Sequence, residues 1–194
     1  MSSTLAWDTA SRLWSARWSR GGAGCGVFRT LLVLLCLHGW AGAGVTVYQK
    51  PSAFLAEVFG GSVPATKAIR LSSSHQAQIK RLLGHSYRPS MLRYWRQGDT
   101  MAVILEEVGK VEPITTGFVV KGGRIARVRI LIYRESHGME VARTSFTKQF
   151  RGTELSPAGR LSRRVDGISG ATLSVRAVTG LARVALYLDR VAPK

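Results

Sequence analysis

The chain has 194 residues, 45% of them apolar, enough for one ordinary domain with its own core plus extensions. Its formal charge is +17, a field that draws phosphates, anionic membrane surface or acidic proteins. No Lys/Arg block, zinc-type spacing or aromatic RNP-like strand accompanies that charge, so nucleic acid is not expected as a partner.

Residues 1–43 read as a secretory signal peptide. Arg12, Arg17, Arg20 and Arg29 precede an apolar run at 31–37, and the small residues Ala41-Gly42-Ala43-Gly44 follow it, with cleavage expected after Ala43. The run is shorter than the about 20 residues of a transmembrane helix. An uncleaved N-terminal membrane anchor is the alternative, because so many residues precede the run. Lipidation of Cys36 is disfavoured by Leu35, where lipid attachment wants a small side chain. Cys25 lies in the same segment, so the exported chain would carry no thiol, and neither thiol redox chemistry nor a thiolate-held metal is expected. Without residues 1–43 the charge is still +14, so the excess belongs to the exported domain.

Residues 44–112 are expected to form an N-terminal portion of the domain and 113–194 its core. From Val45 the chain starts extended. After Pro51 and Ser52 it places Phe54, Leu55, Val58 and Phe59 at helical spacing, ending at Gly60-Gly61. A second helix is expected over 74–83, with Ser74 as cap, Ile79, Leu82 and Leu83 as apolar face and Gly84 as stop. His75 and His85 find no second ligand at metal-site spacing, so no metal is expected there. The period then becomes two. "LRYWRQ", "TMAVILEEV", "ITTGFVVK" and "RIARVRILIY" are separated by the turn pairs Gly98-Asp99, Gly109-Lys110 and Gly122-Gly123, which predicts an antiparallel four-stranded meander in an α+β fold. In the last strand Ile125, Arg127 and Arg129 alternate imperfectly with Arg124, Ala126, Val128 and Ile130, giving one apolar and one cationic face. Those arginines are either a solvated surface or a means of steering an anion. A polar turn follows, then a helical pair, Phe146 and Phe150, a loop over 153–164, and a last helix from Ala171 to Val191. Its expected buried face is Leu173, Ala177, Leu181, Val184 and Leu188.

The stretch "DGISGATLSVRAV" enters that last helix. Helix-entrance N–H groups lack internal partners and sit at the positive end of the dipole, so small side chains there let the main chain hold an anion. Ser169-Gly170-Ala171 supplies the lack of bulk, and Thr172 brings a hydroxyl. The simpler reading is that Asp166 or Ser169 merely caps the helix.

Asp166, Ser169, Gly170, Ala171 and Thr172 fit the pattern D-x-x-S/T-G-A-T. On these residues the chain resembles the FMN-binding domain family, which includes the flavin-carrying, periplasm-facing components of sodium-translocating NADH:quinone reductase and of the Rnf electron-transport complex. Upstream, "GFVVKGGRIARVRILIYRESHG" is similar to the family's strand-turn-strand and E-T-P-G loop, with Glu135, Ser136, His137 and Gly138 in its place. "FTKQFRG" is similar to the segment after it, so the likeness spans about residues 113–190. Ser136-His137 departs from the family's Thr-Pro pair, and the long helical extensions of the respiratory components are missing, which suggests a stand-alone member.

The resemblance implies FMN as cofactor, attached to Thr172 by a phosphoester. It implies a periplasmic flavin transferase as partner, using FAD and magnesium and releasing AMP. Asp166, Ser169, Gly170 and Ala171 would form the flavinylation motif, and residues 135–138 a loop beside the flavin. Arg163, Arg164 and Arg176 can offset the phosphate charge, and a positive field favours anionic reduced flavin. The implied function is an electron carrier at the periplasm or the periplasmic face of the inner membrane, working with a membrane redox protein. Two other readings compete. One is a non-enzymatic basic module that binds an acidic protein or anionic membrane surface without flavin. The other is a flavin reductase, for which His137 is the only general-acid candidate.

Overall fold

The computed structural model describes residues 44–193, so residues 1–43, expected as a signal peptide or anchor, lie with both cysteines outside the described residues. The four expected strands form as β3 (Met91–Gln97), β4 (Thr100–Val108), β5 (Pro113–Lys121) and β6 (Arg124–Tyr133), joined by the three glycine turns. The expected count of four is too low. β1 (Thr46–Val47) pairs with the end of β6, and β2 (Lys67–Arg70) pairs with β3, giving an antiparallel six-stranded sheet in the order β1-β6-β5-β4-β3-β2. β2 buries only Ile69, too short and polar a pattern to be read as a strand from sequence. The class is α+β, and the β4–β5 hairpin makes the sheet continuous across residues 112 and 113.

The imperfect alternation in β6 is a bulge. Pairing passes from Val120↔Ile125 to Val119↔Arg127, leaving Ala126 as an extra residue. That insertion resets the phase, so Ile125, Val128 and Ile130 share one buried face while Arg127 and Arg129 stay exposed.

Helices cover both faces. α1 (Pro51–Val58) starts at a proline, which suits a first helical turn, and packs Phe54 and Leu55 on Ala102, Val119 and Leu131. The opposite face receives α2 (Ser73–Leu83) and the 20-residue α4 (Thr172–Val191), with a short α3 (Thr144–Thr147) between 3-10 turns at Met139–Ala142 and Lys148–Phe150. Fully buried Leu181 and Val184, with Leu188, fix α4 on the sheet, each side chain contributing about 1.5–3 kcal/mol. The far end of α4 is held by a part-buried ion pair, Arg96 to Asp189 at 2.9 Å.

Two local expectations change. Ser72, not Ser74, caps α2: its Oγ accepts from His75 N–H at 3.3 Å, while His75 Nδ1 accepts from Ser72 N–H at 3.4 Å. Three consecutive serines offered the same chemistry, and the reciprocal histidine chose between them. Leu173 is 45% exposed rather than part of the buried face. It lies in the first turn of α4 and faces a groove instead of the sheet.

Candidate functional site

The motif and the loop after β6 lie 28 residues or more apart in sequence, yet the fold stitches them together. Tyr133, the last residue of β6, is buried, and its hydroxyl donates to the carbonyl of His137. The same oxygen lies 2.9 Å from Ser174 Oγ in the first turn of α4. Gly138 is pressed into this junction with φ +88°; a Cβ there would stand 2.7 Å from Ser174 Oγ and 2.8 Å from Tyr133 Oη. Gly138 thus meets two demands, a left-handed backbone and absence of a side chain.

Glu135 has a structural task in the same loop. Its Oε1 accepts from the backbone N–H groups of Lys110, of Val111 at 2.7 Å and of Glu112 at 3.0 Å, gripping the β4–β5 turn. Burial alone would raise its pKa; the hydrogen bonds from Val111, Lys110 and Glu112 outweigh burial and hold the carboxyl below its ordinary value. Ser136 and His137 are exposed and bond to each other, Oγ to Nδ1, at 2.9 Å.

The motif approaches α4 from the other side. Gln149 Oε1 accepts from Asp166 N–H at 2.8 Å, so the segment after α3 anchors the start of the motif. Ala171 N–H donates to Ile168 O at 3.0 Å and closes a turn over Ser169-Gly170, with Gly170 at φ +81° as such a turn requires. The first helical bond is Val175 N–H to Ala171 O at 2.9 Å. The N–H groups of Thr172, Leu173 and Ser174 therefore have no helical partner, and no side chain caps the helix. This corrects the simpler reading of Asp166 or Ser169 as cap. The capping position belongs to Ala171, which has no side-chain oxygen to offer; Ser169 lies within the turn and Asp166 before it. Ala171 is 3% exposed, while Thr172, the first helical residue, faces solvent.

Beside the entrance runs a groove of about 250 Å³. Leu83, Val108, Leu173, Ala177 and Gly180 line it, together with Arg176, whose guanidinium lies over Gly84. Of the arginines expected to offset phosphate charge, Arg176 is brought to this groove, one turn along α4 from Thr172, and Arg163 lies beside Gly152. The chemistry on offer is an uncapped dipole end, three free N–H donors, a hydroxyl without bulk around it and an apolar wall. These features suit a phosphate monoester carrying a large apolar group.

Residues 109–187 match the sequence model of the FMN-binding domain. This segment belongs to the FMN-binding domain family. No curated protein matches the chain. The FMN-binding domain takes in β5, β6, the 135–138 loop, the motif and most of α4, and FMN is its cofactor. The entrance fits that group on its own terms, since a Cβ at Gly138 would close in on Ser174 and the uncapped N–H groups call for an acceptor.

Tyr133, Ser174 and Gln149 build the FMN-binding domain's junction without having been singled out in the sequence. Ser174 carried a signal, a hydroxyl at 4% exposure on the otherwise apolar inner face of α4, which demands a partner. Tyr133 ends an apolar strand and Gln149 sits in a polar run, so neither pattern distinguished them.

Proposed function

We propose that the chain is an exported electron-transfer flavoprotein with FMN joined by a phosphoester to Thr172, relaying electrons between a membrane redox partner and another acceptor. The observation that carries this reading is the Thr172 hydroxyl, solvent-facing on the first residue of an uncapped helix. A flavin transferase using FAD and magnesium would join Thr172 Oγ1 to the FMN phosphorus, with loss of the hydroxyl proton, cleavage of the FAD pyrophosphate and release of AMP.

When bound, FMN supplies the redox chemistry. The chain's own residues do the rest. The N–H groups of Thr172, Leu173 and Ser174 would hold the phosphate, and the Arg176 guanidinium would offset its negative charge. Ala171 and Gly138 keep the entrance free of bulk, and Leu173 and Val108 offer an apolar wall. The +14 charge of residues 44–194 favours anionic reduced flavin and raises the potential. Residues 1–43, read as a signal or anchor, support placement in the periplasm or on the periplasmic face of the inner membrane. Among the described residues no helix is long and apolar enough to cross a membrane.

The test is to produce the protein with and without the transferase and measure intact mass and visible absorbance. The reading expects yellow protein heavier by one FMN, with colour and added mass both lost in Thr172→Ala. A wild type that stays colourless and unmodified while the same transferase modifies a control protein overturns it.

A further inference from the structure

We infer that a hollow at the open edge of β6, between that strand and the α3 segment, is a second anion site built for a phosphate-bearing group. The bulge at Ala126 keeps Arg127 and Arg129 on the face covered by α1. Lys148 and Arg151 reach the same hollow from the turn after α3, so four cations surround about 270 Å³.

The carboxylate lining this hollow is Glu57 of α1, and it is already engaged. Arg127 bonds to its Oε1, and Gln49 Nε2 donates to its Oε2 at 2.8 Å. Arg129, Lys148 and Arg151 form no salt bridge among the described residues. Like charges drawn from two elements into one hollow raise its potential, and an anion relieves that repulsion.

The backbone leaves room for the ligand. β1 pairs only with Ile132 and Tyr133, and Ile125 exchanges bonds with Gly152 and Thr153. Between these points the edge of β6 has no neighbouring strand among the described residues, and the hollow occupies that gap. Two or three guanidinium and ammonium groups suit a tetrahedral, multiply charged oxyanion better than a single carboxylate. A volume just below the range of about 300–1,000 Å³ typical of drug-sized sites has room for a phosphate head. The hollow shares no lining residue with the groove beside Thr172, so both can be filled together.

Phosphate of this chemistry can come from a free phosphate compound or from an anionic phospholipid headgroup, and two probes on the full chain separate them. One is thermal protection by pyrophosphate; the other is co-sedimentation with phosphatidylglycerol vesicles, corrected for phosphatidylcholine vesicles, which report binding through any apolar segment. Arg129→Glu with Lys148→Glu removes the site, and Lys80→Glu with Arg81→Glu, on exposed α2 positions, makes the same change in net charge elsewhere. The inference expects the first pair to weaken binding of at least one probe by about tenfold or more, the scale of a lost charge-assisted contact, with the second pair close to wild type. Loss confined to pyrophosphate assigns a free phosphate compound; loss extending to the vesicles assigns a lipid headgroup. Equal losses in both pairs, or no binding of either probe by wild type, overturns the inference. If the Glu pair misfolds by circular dichroism, Arg129→Gln with Lys148→Gln replaces it under the same criteria.

Discussion

Tyr133 Oη and Ser174 Oγ lie 2.9 Å apart across the junction of β6 and α4. The tyrosine has one proton, and it goes to the His137 carbonyl, so Ser174 must be the donor in the shared bond. The order Ser174 to Tyr133 to His137 gives the junction a direction, and that direction makes the two hydroxyls unequal.

Removing the tyrosine hydroxyl strands both a buried donor and a carbonyl acceptor, whereas removing the serine hydroxyl only frees a lone pair. Tyr133→Phe is expected to cost about 1–3 kcal/mol and Ser174→Ala about 0.5–1.5 kcal/mol. Urea unfolding of both single variants and the double variant reads this, with a coupling of at least about 0.5 kcal/mol. Equal costs with no coupling would contradict the assigned direction.

The two glycines that shape the entrance separate strain from collision. At Gly170 a Cβ meets nothing within 4 Å, so Gly170→Ala pays only for its φ of +81°, about 1 kcal/mol. At Gly138 the same strain is joined by approaches of 2.7 and 2.8 Å to Ser174 and Tyr133, so Gly138→Ala is expected to cost at least about 2 kcal/mol. Comparison of the two urea midpoints measures the difference. Flavinylation of Gly138→Ala should fall as well, because the collision displaces the turn that bears Thr172.

The pH response of the domain should report Glu135. Its folded pKa lies below the ordinary 4.5, so its stabilisation is fully present above that value and fades as pH falls through the depressed one. Glu135→Gln keeps an acceptor but loses the charge that three N–H groups favour, at a cost of about 1–2 kcal/mol at pH 7. Unfolding measured from pH 7 to pH 3 should show the wild-type advantage over Glu135→Gln shrinking below about pH 4.5. An advantage that persists unchanged at pH 3 would mean the carboxylate charge is not what holds the β4–β5 turn.

Much of this fold was legible because the patterns are local. The β-branched and aromatic runs of β3 to β6, the glycine turns and the stripe on α4 each lie within one segment. β2 was hidden because a four-residue edge strand with Ile69 as its only buried side chain has no period to display. The bulge at Ala126 appeared only as noise, since an inserted residue shifts the phase without announcing itself. At the site, the motif from Asp166 to Thr172 was readable as small and polar residues at a helix mouth. That Asp166 and Ser169 do not cap depends on the turn bond from Ala171 to Ile168, which local composition does not encode. Tyr133 and Ser174 meet across a separation of 41 positions, and only the packing of α4 on the sheet brings them together.

Thr172 offers the cleanest division between folding and function. It is exposed, and no side chain caps the helix it begins, so little of the fold depends on it. Thr172→Ala is expected to change stability by less than about 0.5 kcal/mol, the range of ordinary surface substitutions, while abolishing attachment of FMN. Thr172→Ser keeps a hydroxyl at the same position and is expected to retain a measurable fraction of attachment, reduced because the lost methyl frees the rotamer. Intact mass after co-production with the transferase, set beside the urea midpoints, tests both. A Thr172→Ala chain that still gains the mass of FMN would move the attachment to another hydroxyl, and Ser169, exposed on the turn just before the helix, is the first to substitute next.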